Sequence, residues 1–196
     1  CLPYLEHLPV IEDVGEIDPR SATEVAQRCV ALLLCAVKGE TQGHDFEFIT
    51  DVVKKWSAES YFSPNEAAFI NNSSPTAQEF IDHCWGYECV HVMFWALFYL
   101  EELKPPNTIC DVSTEVRLIT ELGPEDFFKK ANLRSMDEIL DSADLYYRLH
   151  WAAIDLRLKG KTSPAIDEGI IRERHRALNW LIRYMDANWD DVTTDT

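Results

Sequence analysis

Residues 29–37 form an uninterrupted apolar run of nine, and the run follows a helix-start signal. Ser21 and Glu24 have the S-x-x-E spacing of a capping box, in which each side chain satisfies a backbone N–H at the helix start. A helix over 21–38 that carries such a run has no polar face to turn to water. It must be covered on most sides by other elements, so the chain has to fold around it.

The covering elements read as further helices. Ser63 with Glu66 and Ser135 with Glu138 repeat the capping box. Pro64 and Pro75 each follow a serine, the arrangement of a cap and a first helical position. Breakers separate the periodic segments at Gly39 and Gly43, 71–74, 105–106, 123–124 and 160–164. No alternating β-branched run of useful length occurs. The expectation is an all-α, compact single-domain bundle of about eight helices, the others near 45–58, 64–71, 76–102, 112–122, 124–132, 136–159 and 168–186. The aromatic-rich helix over 76–102 is expected at the centre. Residues 1–19 hold three prolines and five carboxylates without a lysine or arginine. They read as an irregular acidic arm before a helical domain over 20–196.

Composition narrows the partners. The formal net charge is −16, which disfavours nucleic-acid phosphates and anionic membrane surfaces, since both are bound through Lys and Arg. Apolar runs at 29–37 and 89–100 are far short of the ~20 residues that a spanning helix needs. The six cysteines show no C-x-x-C spacing. Cys84 and Cys89, five apart on one expected helix, point away from each other. Reduced thiols and a cytoplasmic location are expected.

Three ionisable groups fall on inward helical faces. Glu88 lies in the stripe Ile81, Trp85, Val92, Trp95, Tyr99. His150 lies among Ala143, Tyr147, Ile154 and Leu158, and His175 among Ile171, Leu178, Ile182 and Met185. They are candidate catalytic residues, able to serve as acid, base or metal ligands. The competing reading is a hydrogen-bonded core network, with Glu88 held by a histidine or arginine. Asp144, Arg148 and Asp155 form a charge ladder. Arg172, Arg176, Asn179 and Arg183 line a basic strip and, with Arg148, are candidate binding residues. Glu88 and His91 spell E-x-x-H, but a di-iron site needs a second copy, and no metal or cofactor is expected. No phosphate-binding glycine loop or dinucleotide fingerprint occurs. The closing 189–196 segment is expected to dock on the basic strip through Asp190, Asp191 and Asp195 facing Arg172, Arg176 and Arg183, with Trp189 buried as an anchor.

Several stretches also carry a resemblance. They are R-S-A-T-E-V at 20–25, W-G-Y-E at 85–88, W-A-L at 95–97, Cys110-Asp111, E-I-L-D at 138–141, Y-R-L-H-W-A at 147–152, R-H-R-A-L-N-W-L-I at 174–182 and W-D-D-V-T-T-D-T at 189–196. Together they resemble a bacterial family designated only as domain-of-unknown-function family 4272, from about Arg20 to the C-terminus. His91 departs from that pattern, where an apolar or aromatic residue is usual. The resemblance implies a compact helical domain and no established activity, cofactor or partner. The functional expectation is a non-enzymatic cytoplasmic interaction protein, of adaptor or immunity type, with a basic protein partner. The alternative is a small hydrolase or lyase built on Glu88, His150 and His175.

Overall fold

Ser21 accepts the Glu24 N–H while Glu24 reaches back to the Ser21 N–H, and α1 (Ala22–Glu40) starts there. The structure, a computed structural model, describes residues 2–9, 18–44 and 46–196. Residues 1 and 10–17 of the expected acidic arm therefore lie outside the described residues. Among these residues the chain is all helical, with α2 (Phe46–Trp56), α3 (Pro64–Asn71), α4 (Ala77–Cys84), α5 (Gly86–Ala96), α6 (Val112–Lys130), α7 (Met136–Leu158) and α8 (Glu168–Leu181). Short 3-10 turns follow α2 and α8.

The apolar run of α1 is buried from Cys29 through Gly39, and α2, α3, α4, α5 and α6 all pack on it. On the far side α5 meets α8, and α8 meets α7. The centre is thus shared by α1 and α5.

The helix expected over 76–102 is broken. It bends at Trp85 into α4 and α5 and ends at Ala96. No α4 residue is fully buried, whereas α5 is buried from Tyr87 onward, and one straight helix would have forced both into the same environment. Ile81 is accordingly 53% exposed. Gly39 is not a breaker but lies inside α1, at the contact with α4. A Cβ there would stand 2.6 Å from the Phe80 carbonyl oxygen and 2.8 Å from the Cys84 nitrogen, so only glycine allows this approach. At the other end of α5, Phe98 takes a left-handed φ of 62°.

The Ser63 and Ser135 boxes form as the spacing requires, and Thr76 with Glu79 adds another. Pro75 consequently precedes the cap and is not the first residue of its helix. Gly123, with φ 69°, separates the two halves of α6. The inward stripes of α7 and α8 fail at their last positions: Leu158 and Met185 are both 76% exposed. Helix α8 stops at Leu181, and Arg183 and Met185 are left-handed.

Three helix ends share one device, a cation brought from elsewhere to the unsatisfied carbonyls. Lys38 donates to the carbonyls of Phe69, Ile70 and Asn72 at the end of α3. Arg134 donates to the Trp95 carbonyl in the last turn of α5 and to those of Leu100 and Glu101 beyond it. Arg20 donates to the Trp180 carbonyl in the last turn of α8 at 3.4 Å and to Ala187 O beyond it at 2.9 Å, and stacks on the Trp180 ring.

Candidate functional site

Helix α5 carries two buried ionisable residues one turn apart, Glu88 and His91. Glu88 accepts the Arg174 Nε–H at 2.8 Å and the Cys110 backbone N–H at 2.7 Å. Arg174, fully buried on α8, also donates to the Lys104 carbonyl at 2.6 Å and the Tyr146 hydroxyl at 2.9 Å. Charge and hydrogen-bond demand are both met here, which is what allows a buried ion pair to persist.

His91 pairs instead with Glu115 of α6, Nδ1 to Oε1 at 2.8 Å. Burial, then the Glu88 carboxylate, pushes the Glu115 carboxyl up to about 9. Burial, then Arg174 and Lys104, pulls the His91 imidazole down to about 4. Near neutral pH the couple is therefore a carboxylic acid hydrogen-bonded to a neutral imidazole. Its outer atoms, His91 Nε2 and Glu115 Oε2, are buried without a partner. Both residues line a cleft of about 670 Å³ that Glu101, Glu102, Lys104 and Asp111 also line. Across the wall made by Ile109 and Cys110 lies a second, apolar groove of about 330 Å³.

The three candidate catalytic residues do not form one constellation. His150 and His175 meet, Nδ1 to Nδ1 at 3.1 Å, while the partners of Glu88 are Arg174 and Cys110. Burial lowers both histidines, and the neighbouring His150 helps bring His175 to about 3. His175 lines a small cleft with Tyr147, Asn179 and Asp195. Among the described residues no three His, Cys, Asp or Glu side chains converge as metal ligands. Cys84 and Cys89 lie on different helices, and all five described cysteines are unpaired.

The basic strip meets the tail, but not through the expected carboxylates. Arg176 donates to the Trp189 carbonyl at 3.0 Å and stacks 4.4 Å from its ring. Asn179 donates to the Thr193 carbonyl, Arg172 pairs with Glu173, and Arg183 with Glu24. Asp190 turns the other way, accepting from Ser63 Oγ at 2.6 Å and the Asn65 N–H at 3.0 Å. A carboxylate is stabilised there because a helix start presents free N–H groups, so α3 takes the charge that was assigned to α8. Trp189 is buried against Trp180, as an anchor should be. In the charge ladder Arg148 holds Asp144 at 2.6 Å, while Asp155 goes to Lys159.

Arg174 and Glu115 are the residues that sequence reading passed over. Their signal was present: Arg174 falls in the stripe Ile171, Leu178, Leu181, and Glu115 in the stripe Val112, Ile119, Leu122. A charge inside an apolar stripe, looked for on every helix, would have marked both.

A family model described as a domain of unknown function, DUF4272, matches residues 1–192. The chain belongs to this family. The match takes in the N-terminal residues that the sequence resemblance had left outside. No curated protein and no solved structure matches the chain.

Proposed function

We propose that this domain is a non-enzymatic interaction protein that seats an apolar side chain of a basic protein segment in the groove beside Glu88. The observation that carries the reading is the groove itself. It runs between the end of α1, the α4–α5 bend and Ile109 to Val112, and Ile81, Cys84, Trp85 and Ile109 line it. Ile109 is 65% exposed and Ile81 more than half, so two large aliphatic side chains face water at one spot, a common mark of a binding surface. Glu40 lines the groove, and the chain carries −16 overall. That field favours a basic partner and speeds its approach. An adaptor or an inhibitor of a basic protein would use such a surface equally well. Unpaired cysteines support a reducing, cytoplasmic setting. No helix among the described residues is long and apolar enough to cross a membrane.

Titration with synthetic Lys-rich peptides, with and without one central Leu or Trp, tests the reading by calorimetry. The anchored peptide should bind at low salt, weaken as salt rises, and lose about tenfold or more in affinity to Ile109→Glu. Equal binding of the unanchored peptide, or no effect of Ile109→Glu, would remove the groove from the argument. A partner retained from lysate counts only if Ile81→Glu and Ile109→Glu release it.

A further inference from the structure

The cleft beside His91 and Glu115 shares only the Ile109–Cys110 wall with the groove and nothing with the basic strip, and its floor is chemically unfinished. Buried polar atoms nearly always have partners, yet His91 Nε2 and Glu115 Oε2 have none. Both side chains are more than nine-tenths buried, and both line the cleft. The adjacent Glu88–Arg174 pair, by contrast, has a partner for each charge. We propose that this cleft is a binding site for a small organic cation, an amine or guanidinium whose N–H groups complete His91 Nε2 and Glu115 Oε2.

Charge selects the cation. Glu101, Glu102 and Asp111 stand exposed at the rim, opposed by Lys104, while Arg174 is already neutralised by Glu88. A metal ion needs more ligands than the site holds, since no three suitable side chains converge among the described residues. Cleft volume is ample for a ligand of several heavy atoms.

The proton balance follows from the pair. In the unliganded state Glu115 Oε1–H donates to His91 Nδ1, and the imidazole proton sits on Nε2. An ammonium needs acceptors. On binding, the Glu115 proton passes to Nδ1, the Nε2 proton leaves to solvent, and Oε2 and Nε2 both accept from the ligand. One proton is released for each cation bound. The groups facing Glu115 are His91, Glu88 and Tyr87 on α5, Cys29 on α1, Arg174 on α8, and Cys110, Asp111 and Lys104 along the approach to α6. Of these, Glu88 and Asp111 favour the incoming cation, and Arg174 and Lys104 oppose it.

Calorimetry of the intact chain with putrescine and agmatine at pH 7.5, in two buffers of different ionisation enthalpy, tests the proposal. Binding of either probe with release of about one proton is expected. Glu115→Gln is nearly isosteric with the protonated acid and should fold, yet it should weaken binding by about tenfold or more and abolish the proton release. Lys104→Ala should tighten binding. Absence of binding at millimolar probe, equal binding by Glu115→Gln, or equal binding of uncharged acetamide without proton release would each overturn it. Failure of the groove peptides leaves this test unaffected, because it is read on the parent chain, Glu115→Gln and Lys104→Ala, and none of them changes Ile109, which lines both hollows.

Discussion

Glu88–Arg174 and His91–Glu115 are neighbouring acid–base pairs, both buried and both reaching out from α5, but they are held differently. Arginine keeps its charge at any ordinary pH and offers several donors in a rigid fork. The Arg174 side chain spends them on Glu88, Lys104 O and Tyr146, and the Cys110 N–H completes the carboxylate. Histidine can give up its charge, and in this setting it does. The His91–Glu115 couple is neutral, shares a single hydrogen bond and leaves two atoms unsatisfied. The first pair ties α5 to α8 and to the segment before α6. The second leaves binding capacity unused at the foot of a cleft. Satisfaction of partners, more than burial, separates these two pairs.

The largest effect should come from breaking the satisfied pair. Arg174→Leu leaves a buried carboxylate without its cation and should destabilise the chain by roughly 3–5 kcal/mol in urea unfolding. If Arg174→Leu and His91→Phe lose the same amount, the contrast between the pairs collapses.

Next comes Trp189→Ala. Trp189 covers a third buried pair, Arg28–Glu66, with the Arg28 guanidinium 5.3 Å from its ring. Loss of the ring's burial removes roughly 1.5–3 kcal/mol, and deletion of residues 189–196 should match or exceed it in thermal melts. Little change in either variant would mean that the tail does not anchor the fold.

Glu115→Gln sharpens the comparison through pH. With Glu115 at about 9 against an ordinary 4.5, the folded chain holds a proton that the unfolded chain has released. Stability should therefore fall as pH rises from 4.5 to 9. The variant should remove that slope, melting several degrees above the parent at pH 9 and close to it at pH 5. His91 and His175 act in the opposite sense. They lie at about 4 and 3 against 6.5, so stability should fall as pH drops below 6.5 in parent and variant alike. An unchanged alkaline slope in Glu115→Gln would place the ionising group elsewhere.

The smallest effect belongs to the tail carboxylates. Asp190→Asn weakens a charge at the start of α3 and should lose roughly 0.3–1 kcal/mol. Asp191→Asn should change nothing measurable. If both substitutions together exceed Trp189→Ala, charge and not packing holds the tail.

Helix starts were legible in the residues because a capping box is local. Ser21, Ser63 and Ser135 each find their partner three positions on, whatever the rest of the fold does. The buried run of α1 was legible for a similar reason, since an all-apolar helix has no stable exposed arrangement. Trp189 could be read as an anchor from its size and its surroundings in the sequence.

Tertiary structure decided the rest. The bend at Trp85, the glycine contact at Gly39 and the end of α5 at Ala96 depend on which helix lies across α1 and on the distant cations that receive its neighbours' carbonyls. Periodicity placed Glu88, His150 and His175 inward, but it contains no term for which inward groups meet. Glu88 met Arg174, His150 met His175, and His91, set aside with its E-x-x-H, met Glu115 from a helix more than twenty residues away. Asp190 shows the same physics at the surface. Its sequence neighbours are the arginines of α8, yet the carboxylate goes to the N–H groups that the start of α3 presents. A residue's spacing fixes the face it occupies, and only the packing of a second element fixes the partner that face receives.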